Sequence, residues 1–332
     1  MAEPTPTDLM GEELVLGLLA EATEGFLTGE AIADKLGLPR VELFRRIDGL
    51  RSKGYRIDAL PGRGYRLVGV PDRLTSLELG PLLSTHSLGR TLHACDEVAS
   101  TNDVARGLAE KGAVHGEVVV AESQSRGRGR RGRAWVSPPG VNLYLSVVLR
   151  PSLSPERAPE LTLVAAVAIA EVLREAVFDA RIKWPNDILI GGRKVAGLLL
   201  EMDSAEGELR YVVLGVGVNV NLEPAALPEG LAATATSLRA ERGEAVPRVF
   251  LLAALLAGIE GWLDRHELGG FEGVRQRWRE LSATLGDRVK VSASGERIEG
   301  VALDIDDSGA LIVEDAAGAR HRVVAGDVEQ LR

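Results

Sequence analysis

The chain carries a single cysteine, Cys95. One cysteine closes no intrachain disulfide, which excludes a disulfide-framed fold. Cys95 follows Leu92-His93-Ala94 in a predicted strand and is expected as a small buried apolar residue. No apolar run reaches membrane-spanning length. The N-terminus, Met1-Ala2-Glu3-Pro4-Thr5-Pro6-Thr7-Asp8, lacks the basic and apolar parts of a signal peptide. A cytoplasmic protein with no membrane partner is expected. The five histidines (His86, His93, His115, His266 and His321) are scattered, with no metal-ligand spacing. There is no Walker-type lysine loop. Gly215-Val216-Gly217-Val218-Asn219 is not a dinucleotide fingerprint, because no third glycine follows. No Ser-His-Asp or Cys-His constellation stands out, which argues against covalent catalysis by the protein.

At 332 residues the chain has room for two or three domains and a sizeable core. A net charge of -9 argues against wholesale coating of nucleic acid, but charge is unevenly spread. Residues 1–34 hold eight acids and no lysine or arginine. Residues 35–66 hold nine bases against three acids, a local balance of +6. That asymmetry points to an anionic partner for one face of the N-terminal region.

The same region has a readable architecture. Leu14, Val15, Leu18, Leu19 and Ala22 recur at helical spacing from Glu12 to Thr23. A second helix runs from Thr28 to Leu36, Gly37-Leu38-Pro39 turns the chain, and a third helix runs from Arg40 to about Lys53, with Val41, Phe44, Ile47 and Leu50 on one face. Gly54 suits a helix end. Tyr55–Ile57, the Pro61–Gly64 turn and Tyr65–Leu67 read as a hairpin. This order is that of a winged helix-turn-helix. The third helix would enter the major groove and the hairpin would lie near the backbone, making Arg40, Arg45, Arg46 and Arg63 candidate DNA contacts.

Residues 68–90 read as a linker leading into the next domain. The central region mixes strands (Thr91–Glu97, Val118–Glu122, Asn142–Leu149, Ile188–Ile190, Val195–Glu201, Tyr211–Asn219) with helices after Ser100, across Leu161–Phe178 and across Val246–His266. From Leu285 onward, short strands at Arg288–Ser292, Arg297–Ile305, Ala310–Glu314 and His321–Val324 suggest a small SH3-like barrel. The expected class is α+β. Its parts are a winged helix-turn-helix at 1–70, a mixed α/β catalytic domain at 71–283 and an SH3-like domain at 284–332.

Four polar segments stand out against this apolar framework. Ser100-Thr101-Asn102 follows a strand and opens a helix. Gln124 precedes Arg126-Gly127-Arg128-Gly129-Arg130-Arg131-Gly132-Arg133-Ala134-Trp135, a loop between strands with five arginines in eight residues. No packed core holds so many guanidinium groups, so the loop is solvated or wraps an anion. Lys183-Trp184-Pro185-Asn186-Asp187 and Lys194-Val195-Ala196-Gly197 place two lysines about a turn, as if a phosphate or carboxylate lay between them. The glycines of Gly215–Asn219 mark close approach by a ligand or backbone. Such a site catalyses by positioning and by stabilising developing negative charge. Nucleotidyl transfer from ATP to a carboxylate, with Mg²⁺ sharing the charge, suits it.

Taken together these segments resemble the biotin protein ligase family, in its order and approximate spacing, over nearly the whole chain. The N-terminal region resembles the bifunctional branch, which also represses biotin synthesis genes. Ala99 departs from the pattern, since members often carry Asp or Ser there. The resemblance implies a reaction in which biotin and MgATP give biotinoyl-5′-AMP, and a lysine of a biotin carboxyl carrier protein then takes the biotin. It implies that Ser100, Thr101, Asn102, Gln124, Arg128, Gly129, Arg130, Trp135, Lys194 and Gly197 bind biotin. It places Arg130, Arg133, Lys183, Asn186, Asp187 and Asn219 around the nucleotide and its phosphates, with Asp187 near Mg²⁺. Lys194, Lys183 and Arg130 are the expected catalytic residues. No tightly bound cofactor is expected; partners would be the carrier protein, operator DNA of biotin genes and a second copy of the chain. The glycines would make the loop a mobile lid that orders over the adenylate and excludes water. Two other readings remain open: a non-catalytic repressor sensing a small carboxylate, and a ligase for lipoate or another acid.

Overall fold

The computed structural model describes residues 6–22, 25–227, 230–293 and 296–331. The expected helix end at Thr23, residues 1–5 and Arg332 lie outside these. The chain forms two compact units, Met1–Ser84 and Thr85–Arg332.

In the first unit, α1 (Pro6–Glu21), α2 (Gly29–Leu36) and α3 (Arg40–Ser52) precede a hairpin of β1 (Arg56–Leu60) and β2 (Gly64–Gly69). Thr28 Oγ1 caps α2 by accepting from Ala31 N at 3.1 Å. Gly37 ends α2 in the left-handed conformation at φ 63°, where a side chain is disfavoured. Gly64, at φ 101°, lies so close to the Leu27 carbonyl that a Cβ would overlap it. This lets Leu27 pair with Tyr65. The core gathers Val15, Leu16, Leu19, Ile32, Leu43, Ile47, Leu50 and Tyr65.

The apolar face expected of the third helix is therefore rotated. Leu43, Ile47 and Leu50 are buried, whereas Val41 is 81% and Phe44 55% exposed. Leu14 of the first helix is likewise exposed. The expected linker is partly structured as well. Its helix α4 (Ser76–Leu79) and the 3₁₀ turn Gly80–Leu82 belong to this unit, with Leu79 fully buried and Leu77 against the core.

The second unit is built on a seven-stranded sheet, β3 (Leu92–Val98), β4 (Val118–Gln124), β5 (Leu143–Leu149), β9 (Glu208–Val218), β8 (Arg193–Ala205), β7 (Asp187–Ile190) and β6 (Ala180–Lys183), in that spatial order. Only β3 and β4 run parallel; the other neighbours are antiparallel. Every residue of the interior strand β5 is buried. Helix α5 (Thr101–Glu110) packs on one face, with Ala105 and Ala109 against Val119, Val148, Tyr211 and Val213. Helix α6 (Glu160–Glu175) lies against β6, β7 and β8, with α8 (Arg248–Gly269) and α9 (Glu272–Leu281) against α6; α7 is the short helix Leu238–Arg242. Along β9 the side chains alternate by the strand period of two. Tyr211 and Val213 fill the space under α5, and then Gly215 and Gly217 leave an open floor. Cys95 is half-buried rather than enclosed, because β3 is an edge strand.

The C-terminal part is a five-stranded antiparallel sheet of β10 (Arg288–Ala293), β11 (Glu296–Ile305), β12 (Leu311–Asp315), β13 (Arg320–Val323) and β14 (Asp327–Gln330), ordered β13-β12-β11-β10-β14. Among the described residues no ladder joins β13 to β14, so the sheet is open and no closed barrel forms where an SH3-like barrel is expected. Four of these strands fall where the sequence places them. The fifth, β14, went unread, as did β6, α7 and α9.

Candidate functional site

A cavity of about 580 Å³ opens on the α5 side of the seven-stranded sheet. Its lining includes Ser100, Thr101, Asn102, Gln124, Arg128, Gly129, Arg130, Arg133, Trp135, Lys183, Asn186, Asp187, Lys194, Gly197 and Asn219. All of the expected ligase-site residues thus meet at one place, although they come from four strands, a helix start, the arginine–glycine loop and two connecting segments.

At one end, Ser100 holds the N-cap position of α5 without making a side-chain cap bond. Ser100, Thr101 and Asn102 are all buried. Gln124 Oε1 accepts from Thr101 N at 2.9 Å and Thr101 Oγ1 at 3.2 Å. Its Nε2 donates to Ser137 Oγ at 2.9 Å. Ser146 Oγ lies 2.8 Å from Thr101 Oγ1 and 2.6 Å from Asn102 Oδ1. Asn102 Nδ2 donates to Glu201 Oε2 at 2.9 Å. Burying this many polar groups is tolerable because they satisfy one another. The result is a fixed array of donors and acceptors suited to a polar ring system.

The floor is glycine for a steric reason. A Cβ on Gly215 would collide with Asn102 Oδ1, and one on Gly217 would come within 2.5 Å of the Trp135 ring. A Cβ on Gly197 would sit 3.0 Å from both Lys194 Nζ and Trp135. The indole therefore lies directly on the sheet, with Lys194 Nζ 5.2 Å from a Trp135 ring centroid and the indole Nε1 buried without a partner.

At the other end the charges collect. Lys194 Nζ pairs with Asp187 Oδ1 at 2.6 Å. The Lys194 backbone is held on both sides by the strap that follows β9, donating to Thr234 O at 2.8 Å and accepting from Thr236 N at 2.9 Å. Trp184 is buried away from the cavity. Its amide donates to Thr284 Oγ1 and its indole to Gly309 O, at 2.9 and 3.0 Å, which fastens the turn carrying Asn186 and Asp187. Asn186 Nδ2 donates to Leu198 O at 2.6 Å and Asn219 Nδ2 to Thr236 O at 3.0 Å. Among the described lining residues Asp187 is the sole carboxylate against four lysine and arginine groups beyond its partner: Lys183, Arg128, Arg130 and Arg133.

The arginine–glycine loop is a short doubled-back strap. Arg128 bridges to Ala134, Trp135 N donates to Gly127 O at 2.8 Å, and Gly129 N to Arg133 O at 2.6 Å. Arg128 Nη2 lies between Asp103 Oδ1 at 2.8 Å and Glu201 Oε1 at 3.3 Å. Arg130 Nη1 donates to Asn186 Oδ1 at 3.2 Å. Burial pushes the Arg130 pKa down, opposed by Asp327, but a guanidinium stays charged at any working pH.

Several functional contacts had no signal in the sequence. Asp103, Glu201, Ser137 and Ser146 are common residue types in ordinary helix, strand and loop contexts, and only the fold brings them to the site. The strap residues Leu227, Leu231, Ala233, Thr234 and Ala235 also line the cavity. Gly215 and Gly217 were legible as close-approach glycines.

In the first unit the four candidate DNA contacts divide. Arg40 and Arg45 are exposed, with ion pairs to Glu30 at 3.2 Å and Glu42 at 3.0 Å. Arg63 is stacked 5.2 Å over the Phe26 ring. Arg46 instead turns inward. Its side chain is 13% exposed, its Nε donates to Glu42 Oε1 at 3.0 Å, and its guanidinium lies against Gly11. The face Arg46 shares with the buried Leu43, Leu50 and Ile47 side of α3 explains why.

Comparison with known proteins agrees with this geometry. Residues 95–219 match the biotin/lipoate A/B protein ligase family, residues 284–330 the biotin protein ligase C terminal domain, and residues 12–66 an HTH domain. The chain is 35% identical to the bifunctional ligase/repressor BirA of Bacillus subtilis over 316 residues, covering 95% of this chain and 97% of that one. It is 33% identical to the BirA of Escherichia coli over 302 residues, covering 90% and 92%. Among solved structures, a biotin protein ligase from Aquifex aeolicus in complex with biotin and ATP is similar, with a TM-score of 0.62 and 27% identity over 73% of this chain and 99% of that one. A helix-turn-helix unit, a ligase fold and a C-terminal β-rich domain in one chain, matched nearly end to end, place this protein in the family of bifunctional biotin ligase/repressors.

Proposed function

We propose that the cavity binds biotin at its Ser100–Gln124 end and MgATP at its Lys183–Lys194 end, forms biotinoyl-5′-AMP, and passes biotin to a lysine of a biotin carboxyl carrier protein. The single observation that carries this reading is the polarity of the cavity: at one end a hydrogen-bonding array whose lining from Ser100 to Asn102 and Gln124 is uncharged and whose flanking carboxylates, Asp103 and Glu201, are paired with Arg128, at the other end clustered cations, and a glycine floor between. A uncharged ureido ring fits the first end, and a carboxylate meeting a triphosphate fits the second.

In the first step a biotin carboxylate oxygen attacks the α-phosphorus. The bond from that phosphorus to the β-phosphate oxygen breaks, and pyrophosphate leaves. Negative charge builds on phosphate oxygens, where fixed cations stabilise it more than they stabilise the separate substrates. Lys194 is placed between Trp135 and Asp187 and is the group we assign to the reacting carboxylate and α-phosphate. Lys183 and Arg130 take the remaining phosphates, with Asn186 and Asn219 beside them; Arg133, expected there as well, is held by Asp327. Mg²⁺ arrives as part of the substrate complex. Among the described residues no group of three or more His, Cys, Asp or Glu side chains could hold a metal, so phosphate oxygens would carry it, with Asp187 as the one carboxylate at hand. In the second step the carrier amine attacks the acyl carbon, AMP leaves, and the amine loses its proton. The arginine–glycine loop acts as the lid that keeps water from the adenylate.

The first unit is proposed to bind operator DNA as a winged helix-turn-helix through Arg40, Arg45 and Arg63, most naturally as a homodimer on a two-fold site. A division at 283/284, an SH3-like C-terminal domain and a cytoplasmic setting that supplies ATP are parts of the same proposal, with the first boundary at residues 84/85, where the two compact units part, rather than at 70/71. Among the described residues no helix is long and apolar enough to cross a membrane.

The test is direct. The protein is incubated with biotin, labelled ATP, Mg²⁺ and a carrier domain, and pyrophosphate and biotinylated carrier are measured. Both products are expected. Absence of both would leave a ligand-sensing repressor, and turnover with lipoate but not biotin would leave the lipoate-type reading. A gel shift on the protein's own biotin-gene promoter should show biotin-dependent binding; no salt-sensitive binding would remove the repressor arm.

A further inference from the structure

The arginine–glycine loop is held from outside itself. At its tip, Arg131 Nη1 donates to Asp327 Oδ2 at 3.1 Å and Arg133 Nη2 to Asp327 Oδ1 at 2.7 Å. Arg131 Nη2 donates to Ser292 O at 3.1 Å, and Arg130 Nη1 to Gly326 O at 3.2 Å. Ser292 and Asp327 are register partners on β10 and β14. One carboxylate, at one rung of the C-terminal sheet, is therefore shared by two guanidinium groups. The tip has a shape the local chain does not favour: Arg131 is left-handed at φ 55°, a region unfavourable to a residue with a side chain.

We propose that Asp327 is a positioning residue for the ligase reaction, a two-arginine latch that holds the loop over the cavity and sets how long the adenylate is retained. This rests on the ligase reading above. Asp327 does not line the cavity and touches no reacting atom; it acts through Arg131 and Arg133. The loop's arginines then divide by role. Arg128 and Arg130 make contacts inside the site, to Asp103, Glu201 and Asn186, while Arg131 and Arg133 hold the lid down. Arg133 was read as a phosphate ligand, yet its guanidinium is taken up by Asp327. The latch is also weak by construction. The side chains of Asp327, Arg131 and Arg133 are 37%, 43% and 62% exposed. Such pairs contribute little each and are screened by salt. A weak latch suits a lid that must stay closed on the intermediate but open for the carrier lysine.

The experiment uses the full-length protein with Asp327→Ala, Asp327→Glu, and Glu314→Gln on the same sheet as a control. The first measurement needs no ligand: tryptic cleavage within residues 126–133. Asp327→Ala should be cut about three- to tenfold faster at low salt, and the difference should vanish near about 0.5 M NaCl. Asp327→Glu and Glu314→Gln should behave like the parent. The second measurement is loss of preformed biotinoyl-adenylate from the protein, which should quicken by a similar factor in Asp327→Ala. Adding Arg131→Ala to Asp327→Ala should bring no further loss of adenylate, since both break one contact set. Parent-like cleavage in Asp327→Ala would overturn the latch. So would a faster cleavage that persists in high salt and comes with a lowered melting temperature, which would mark general loosening. If the parent makes no adenylate, the ligase reading fails while the cleavage result still decides whether Asp327 holds the loop. If adenylate forms and Asp327→Ala retains it as long as the parent, only the latch fails.

Discussion

Helix α3 and the arginine–glycine loop are both dense in arginine, but they hold their charge differently. On α3, Arg45 and Arg46 both reach Glu42, three and four residues away, and Arg40 reaches Glu30 on the preceding helix. These partners travel with the unit, and Arg40 and Arg45 stay exposed on its surface. In the loop the partners are remote: Asp103 and Glu201 for Arg128, Asn186 for Arg130, and Asp327 for Arg131 and Arg133. The helix would keep its shape if cut from the rest of the chain's electrostatics. The loop takes its shape from elements across the whole second unit. A charge patch of the first kind suits a long polyanion read by a rigid face. A patch of the second kind suits a small anion enclosed by a movable wall.

That contrast can be broken at several points. Lys194→Ala should lower the rate of biotin-dependent pyrophosphate release about a hundred- to a thousandfold, with operator binding in the absence of biotin unchanged; a loss under threefold would remove Lys194 from the reaction. Gly217→Val should push Trp135 off the sheet and raise the Kd for biotin by about thirtyfold, the scale of a forced overpacking. Isothermal titration with biotin alone checks it, and unchanged affinity would mean the floor is not the ligand's seat. Arg45→Ala should weaken promoter binding about fivefold and reduce the slope of affinity against salt by about one, as loss of one phosphate contact does. Arg46→Ala should leave that slope alone and instead cost about 1 kcal/mol of stability in thermal unfolding of the full chain. If Arg46→Ala changed the slope as much as Arg45→Ala, the inward placement of Arg46 would not describe the DNA-bound form.

The sequence carried the site further than it carried the fold's margins. Ser100–Asn102, Gln124, the loop, Lys183–Asp187 and Lys194 were legible because each is a polar interruption of an apolar strand or helix pattern, and the cavity unites them. The long strands β5, β8 and β9 were legible because their apolar runs are continuous. β6 and β14 escaped because four residues with one or two buried side chains leave no period to detect. α9 was within reach, since Val274, Trp278 and Leu281 are buried at helical spacing. The rotation of α3 was not, because Val41 and Phe44 fit an apolar stripe as well as Leu43 does, and only packing against α1 and α2 chooses between them. The arginine partners Asp327 and Glu201 were unreadable for the same reason: contact between residues so far apart in the chain is a product of the fold.

Trp184 offers a last consequence. Its amide rests on Thr284 and its indole on Gly309, 100 and 125 positions further along the chain. The turn that bears Asn186 and Asp187 is thus completed by residues synthesised well after it. Domains fold in order as a chain leaves the ribosome, so the helical unit is finished long before this turn has its anchor. A chain that stopped before Thr284 would have the helical unit complete and this turn without its anchor.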